Sequence, residues 1–363
     1  MPPTDSDKSA SSTPTANRHF KKGAWILAAG LAGIVALLYY RFRRSPFDWN
    51  VFLATFAGVN WIWLLSSILL ILFTYGGRAL RWEVMLRPAR AHPSLWNITS
   101  ATVIGFTALV LLGRAGEVVR PYLISVKERV SFSSQMAAWL LERILDLLLV
   151  LLIFGIALAR MPAAPHLGNA MRWVLHTGGY FITSIGALCI LLLVAFRNFA
   201  VSAQRRILSA LSFLPATISG RAERTMAAFV QGLECTRNPV SLALLVIYTI
   251  VEWVLIVGAH YCIFQAMPGT AWFGLNEVMI FLGFVAFGSV VQLPGIGGGV
   301  QAVSVLVLTE IFNIPAGEAW GMAILIWLLS WVLVVPFGLA FASHEGLNWK
   351  KISHIREDVE AQP

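Results

Sequence analysis

Uncharged apolar runs long enough to cross a bilayer recur along this chain, separated by short basic segments. A helix needs about 20 apolar residues to span the hydrocarbon core. In lipid the backbone must satisfy its own hydrogen bonds, so such runs are helices. The pattern predicts full spans near 23–40, 56–75, 136–159, 174–196, 241–266 and 319–341. Two further apolar stretches differ. Residues 98–112 are short and contain Gly105, and residues 278–312 are long but interrupted by Pro294-Gly295-Ile296-Gly297-Gly298-Gly299. Broken backbone at membrane depth is tolerated where it is packed in protein or lines a wet cavity. Both stretches are therefore expected to be re-entrant, entering and leaving on one side. The expected fold is an all-α polytopic integral membrane helix bundle, with about six full spans plus two re-entrant or broken helical elements.

Composition agrees. Only 12% of the 363 residues are charged, against roughly 25% in a soluble domain, and the mean hydropathy is +0.73. That excludes a water-facing globular protein. Residues 1–22 read as a disordered cytoplasmic tail, rich in Ser, Thr, Pro and Ala up to residue 17. Residues 23–345 form the transmembrane domain and 346–363 a cytoplasmic C-terminal tail. Arg18, Lys21 and Lys22 precede a run that ends at Arg41-Phe42-Arg43-Arg44 without a small-residue cleavage site. This predicts an uncleaved first helix rather than a signal peptide. Cys189, Cys235 and Cys262 are scattered, which argues against a metal site or a disulfide framework.

The net charge of +9 does not point to nucleic acid, because the basic residues sit in short loops between apolar helices, as in cytoplasmic loops facing anionic lipid. With both termini cytoplasmic and both odd stretches re-entrant, 21 of the 27 Lys and Arg fall inside, five fall outside and Arg143 lies within a span. A full crossing at 98–112 would move the six basic residues of 197–240 outside. The two odd stretches also resemble each other: Gly105-Phe106-Thr107-Ala108 leads to Gly113-Arg114-Ala115-Gly116-Glu117-Val118, and Gly283-Phe284-Val285-Ala286 leads to Gly295-Ile296-Gly297-Gly298-Gly299-Val300. They enter from opposite sides, the arrangement of an inverted repeat.

Charges inside spans are the candidates for chemistry, since each costs about 2.5–3.5 kcal/mol at mid-bilayer on insertion scales. In the segment from Gly113 to Pro121, glycines permit close backbone approach, while Arg114 and Arg120 offer donor forks matched to phosphate. A helix beginning there would aim free N–H groups at an anion. With Gly116 and Glu117 these residues are expected to form a lipid-phosphate site; the plain alternative is a basic loop with an Arg–Glu pair. Glu142, Arg143 and Asp146 share helix 136–159, where Arg143 and Asp146 are spaced to pair. They serve either a polar interior site or helix packing.

Glu252 shares its helix with no basic residue. It is expected to be protonated or paired across helices, with Arg143 as a candidate partner. His260 reads as a structural histidine. Pro294, Gly295 and Gly297 make either a ligand-contacting backbone or a tight turn between half-helices, and this run lacks the strand context and G-K-[ST] ending of a P-loop. Arg78 and Arg81, placed just after a span, read as headgroup contacts or snorkelling anchors. The tryptophans, among them Trp61, Trp63, Trp320 and Trp331, fit interfacial belts or helix packing. No hydrolase, zincin or Walker signature is present, so no cofactor or metal is expected. With no loop longer than about 45 residues, no soluble catalytic domain is expected either.

Taken together, four motifs carry a resemblance. Arg78-x-x-Arg81-Trp82-x-x-Met85-Leu86 is followed by Arg114-Ala115-Gly116-Glu117-x-x-Arg120, then by Glu142-Arg143-x-x-Asp146, and then by Pro294-Gly295-Ile296-Gly297. In this order and spacing they resemble the lysylphosphatidylglycerol synthase transmembrane-region family, also called the flippase-like domain family, over roughly residues 20–345. Gly113 stands where the family usually has Pro, and Gln301 where an acidic residue is common. The resemblance implies a multi-pass protein of a bacterial or archaeal inner membrane that handles lipid. Lysyl transfer is not implied, because no synthetase domain accompanies these motifs.

The expected function is translocation of a phospholipid or polyprenyl-phosphate-linked lipid. The alternatives are an intramembrane enzyme transferring a group to a lipid, or a non-transporting partner of a lipid-synthesis complex. The expected ligand is a membrane lipid with an anionic headgroup, and a lipid-biosynthetic enzyme is an expected partner.

Overall fold

The computed structural model describes residues 55–161, 168–196, 235, 238–289, 292–293 and 297–346. The span predicted at 23–40, the first tail, nearly all of the second, most of the basic loop 197–240, and Pro294 and Gly295 lie outside the described residues. The described part is a helical bundle, as the apolar runs predict. Its helices are α1 (Trp61–Leu86), α2 (Leu95–Leu112), α3 (Val119–Glu128), α4 (Phe132–Ala159), α5 (Asn169–Phe196), α6 (Pro239–Ala266), α7 (Leu275–Gly288), α8 (Gly299–Glu310), α9 (Ala316–Trp327) and α10 (Val334–His344). A π turn, Leu328–Val332, joins α9 to α10. Among the described residues four helical segments are long and apolar enough to cross a membrane: α1, Leu95–Glu128, α6 and Ala316–His344.

One of these four is not a single rod. Leu112 is followed by a 3₁₀ turn, Gly113–Val118, and α3 then runs back along α2. The Asn97 amide nitrogen donates to Glu128 at 2.7 Å, so the two ends of the segment meet. Re-entrance was expected from the charge asymmetry, but the turn falls at Gly113–Val118 and not within 98–112, so the Arg114–Arg120 segment sits at the tip and not at the basic mouth, and 119–128 supply the returning arm. Glycine permits it at two levels. Gly113 adopts φ 64°, which L side chains avoid. A Cβ on Gly116 would overlap the backbone of Ala108, so only glycine lets the turn lie against α2.

The second broken stretch is also a hairpin. Helices α7 and α8 pack together, joined through two-residue strands β1 (Gln292–Leu293) and β2 (Gly297–Gly298) paired antiparallel. Gly298 sits at φ 93°, and its N–H donates to the Gln301 side-chain oxygen at 2.8 Å. Packed aromatic rings close the base, with Phe273 4.7 Å from Phe312.

The hairpins enter from opposite ends of the bundle. Antiparallel helices α1 and α6 fix the two ends: Asn60 N–H donates to Ala266 C=O at 2.9 Å. The base of the second hairpin follows Ala266 directly. The base of the first lies at the other end, where Lys127 meets Glu345 at 2.5 Å. Arg87, Arg90, Lys127 and Arg129 flank the helix ends there, so we call it the basic end. The two tips meet where β1 touches the 3₁₀ turn. Opposed entry matches the arrangement anticipated from the short internal similarity; the meeting of the tips was not anticipated.

One boundary departs from expectation. The span predicted at 56–75 continues to Leu86, so Arg78 and Arg81 lie within the helix rather than beyond it. Carboxylates on neighbouring helices neutralise them, which removes the electrostatic reason for the helix to end.

Candidate functional site

Three arginines and three carboxylates from four helices meet inside the bundle near the basic end. Helical rise of about 1.5 Å per residue puts Arg81 roughly 8 Å and Glu142 roughly 15 Å from that end of their helices. Arg81 is fully buried. It donates to Asp146 at 2.6 Å and to Thr249 at 3.2 Å, forms a very short bond to Glu142, and lies 3.2 Å from Glu252. Arg78 donates to Glu252 at 2.6 Å. Arg120, from the re-entrant α3, donates to both oxygens of Glu142 at 3.1 Å and to the Arg78 carbonyl at 3.2 Å. The guanidinium of Arg78 lies 4.2 Å from the Phe106 ring centre, and that of Arg120 lies 4.0 Å from Trp82. Such cation–π contacts strengthen when desolvated. The Trp82 ring is itself held by a 3.0 Å bond from its N–H to Gln135.

The network closes electrically, with three positive groups against three negative ones. Charges buried this deep persist when paired and hydrogen-bonded, and each carboxylate here meets at least one guanidinium.

Beside the network lies a small open cleft with room for about one water molecule. Gly105, Phe106 and Leu109 of α2 form one wall. Glu117, Arg120, Trp139 and Arg143 form the rest. At the mouth Arg114 pairs with Glu117 at 2.6 Å, with the arginine half exposed. Arg143 is exposed and makes no ion pair or hydrogen bond among the described residues; its guanidinium lies 5.9 Å from the Trp139 ring centre. On the described residues lining the cleft, two buried donors make no hydrogen bond, the Nε of Arg120 and the indole N–H of Trp139.

Several expectations need correction. Arg143 does not pair with Asp146 or with Glu252: Asp146 turns to Arg81, and Glu252 to Arg78 and Arg81. Arg78 and Arg81 do not snorkel, because interior carboxylates offer stronger partners than distant headgroups. The start of α3 does not present a free set of N–H groups, since the 3₁₀ turn runs into it and Val119 N–H donates to Gly116 C=O. His260 is bonded inside the bundle, to Ile256 C=O at 2.8 Å and to Ser330 at 3.4 Å.

Gly297 lies in β2 at the tip of the second hairpin. Trp82 and Trp139, which the belt reading passed over, are both at the site. Trp139 stands four residues before Arg143, a helical spacing that places the two on one face. Thr249 and Phe106 were missed as site residues as well, although Phe106 stands in the Gly105-Phe106-Thr107-Ala108 segment of the internal similarity.

Among the described residues no group of three or more His, Cys, Asp or Glu is placed to hold a metal ion. No curated protein and no solved structure matches the chain. The family model described as the lysylphosphatidylglycerol synthase TM region matches residues 25–338, nearly the whole chain. The chain therefore belongs to that family, as a multi-pass membrane domain with a lipid-related role.

Proposed function

We propose that the protein translocates a lipid whose anionic headgroup enters the cleft at the tip of the first hairpin. The observation that carries this reading is the setting of Arg143. It stands at the cleft with no ion pair or hydrogen bond among the described residues, and Leu140, Ile144 and Leu147 on the same helix are exposed around it. A soluble anion has no reason to meet a cation on an apolar, lipid-facing surface. An amphiphile does, with its phosphate on Arg143 and its chains along the leucines. Arg114, Arg120, Gly116 and Glu117 shape the mouth and floor. Arg78, Arg81, Glu142, Asp146 and Glu252 brace that floor and hold Arg120 in place. The second hairpin meets the 3₁₀ turn through β1, and relative movement of the two hairpins exposes the headgroup to either side.

On this reading the basic end faces the cytoplasm of a bacterial or archaeal cell, both termini lie there, and a lipid-synthesising enzyme supplies the substrate. Reconstitution into vesicles carrying fluorescent phospholipids or polyprenyl phosphates tests it. The wild type is expected to equilibrate label across the bilayer. Arg143→Gln and Arg114→Ala should slow that at least about tenfold, the scale of a lost charge-assisted bond. Equal rates in all three proteins would overturn the proposal. A lipid species missing from a deletion strain, with sidedness unaltered, would replace translocation by group transfer.

A further inference from the structure

We infer that Glu252 is a proton site coupled to Arg78: a proton replaces the arginine on this carboxylate whenever the arginine turns away. This rests on the lipid reading above and gives it a coupling ion, since an anion that draws Arg78 aside is accompanied by a proton.

The hydrogens of Arg81 are unevenly shared. Its Nη1 donates to Asp146 and Thr249, and its Nη2 to Glu142 and Asp146. All four Nη hydrogens are thus directed elsewhere, although Glu252 lies 3.2 Å from Nη2. The Oε2 of Glu252 is buried and accepts no hydrogen bond among the described residues. Glu142, by contrast, accepts from Arg81 and twice from Arg120, and Asp146 accepts twice from Arg81. Glu252 depends on a single donor, the Nε of Arg78, which meets its Oε1 at 2.6 Å.

That donor is also the cation of the network best placed to leave. The Arg78 side chain is 19% exposed, against 1% for Arg81 and 6% for Arg120. Its bond to Glu252 is its one side-chain hydrogen bond among the described residues, and its guanidinium rests on the Phe106 ring. Turning it away leaves Arg81 and Arg120 to face Glu142, Asp146 and Glu252. A buried carboxylate stripped of its donor takes a proton instead of persisting as an ion. The neighbouring groups favour the same outcome. From α1 come Arg81 and Tyr75, and from α4 the like charges Glu142 and Asp146, which oppose a bare Glu252. Helix α7 brings only Glu277, in its first turn at the outer end. On α6 itself Tyr248 and His260 stand one and two turns from Glu252. The proton enters past Arg78 or Asp146, the two partly exposed members of the network. It binds Oε2, and it departs the same way when Arg78 returns with its positive charge.

Infrared spectroscopy of the full chain at neutral pH, in a maltoside detergent that has no carbonyl group, tests the site directly. The wild type and Glu252→Gln should coincide in the carboxylic-acid C=O region. Arg78→Gln should gain a carboxylic-acid band there, the added Glu252→Gln change should remove it, and Arg78→Lys should match the wild type. Arg78→Gln without the band, or a band that survives in the double variant, overturns the inference. Should Arg78→Gln fail to fold, acid titration of the wild type decides. The first band gained by a buried carboxyl should vanish in Glu252→Gln, and its loss in Asp146→Asn instead overturns the inference. In vesicles, an imposed pH gradient should alter the wild-type rate of lipid translocation, and Glu252→Gln should lose that response. The expected spectra without any translocation sink the proposed function alone. Translocation by a protein whose Arg78→Gln form shows no carboxylic band sinks this inference alone.

Discussion

The two re-entrant hairpins share a shape and differ in what holds them. The first, α2 and α3, is tied by ions. Glu128 is buried at its base between Arg90 at 2.9 Å and Asn97, and Arg120 on its returning arm meets Glu142. The second, α7 and α8, has no Lys or Arg. Its base is an aromatic cluster, in which Phe273 lies 4.6 Å from Phe264 and 4.7 Å from Phe312. Ionic ties are short-ranged in geometry and costly to break one at a time, whereas ring contacts slide and re-form at a cost of about 0.5–1.5 kcal/mol per pair. The second hairpin is thus the easier one to displace, and the first is the fixed wall that carries the chemistry. An inverted arrangement need not be a symmetric machine: here one copy recognises and the other yields.

The largest expected effect breaks the ionic side of this comparison. Arg81→Met leaves three carboxylates, Glu142 and Glu252 of them buried, to two arginines. It should lower unfolding stability in detergent by roughly 3–5 kcal/mol, the usual result of orphaning a buried charge. Phe273→Leu, which keeps an apolar side chain but loses the ring pairs of the second hairpin, should cost only about 1–2 kcal/mol. Both follow from denaturant titration read by circular dichroism. A similar loss in both variants would erase the distinction between the hairpins.

Next in size come the tips. Gly116→Ala places a methyl group into the backbone of Ala108, and overpacking of this kind costs about 1–3 kcal/mol. Gly298→Ala forces φ 93° on an L residue, at about 1–2 kcal/mol. The first should also loosen Arg120 from Glu142, since the turn and α3 move together. Hydrogen exchange along Val119–Glu128 should therefore rise in Gly116→Ala and stay unchanged in Gly298→Ala. Equal exchange in both would show that the tips are not independently fastened.

Much of this was legible in the chain because membranes impose few choices. Apolar runs of about 20 residues place α4, α5, α6 and the α9–α10 segment, and the charge asymmetry between loops points to a hairpin rather than a crossing, though not to its turn at Gly113–Val118. The pairing inside the site was not legible. Arg81 meets Glu142, Asp146 and Glu252 across 61 to 171 positions of sequence, and such contacts depend on how helices rotate against one another. Local spacing suggested Arg143 with Asp146. The bundle instead turns Asp146 toward α1 and leaves Arg143 on the outer face, a difference of helix rotation that periodicity does not encode. The extension of α1 to Leu86 escaped for the same reason, because arginines end an apolar run in sequence but not in a bundle that supplies their counter-ions.

The smallest structural effect should come from the pair that looks most like the buried ones on paper. Arg114 and Glu117 are three residues apart and 2.6 Å in contact, yet the arginine is 50% exposed. Water and side-chain entropy offset most of the attraction in such pairs, which are worth about 0–1 kcal/mol. Arg114→Ala should therefore leave unfolding stability within about 1 kcal/mol of wild type while slowing lipid translocation, because it frees Glu117 to place an uncompensated negative charge at the mouth of the cleft. Glu117→Gln in the same background removes that charge and should recover part of the rate. If Arg114→Ala instead destabilises the fold as much as Arg81→Met, the mouth belongs to the fixed wall and not to the part that meets lipid.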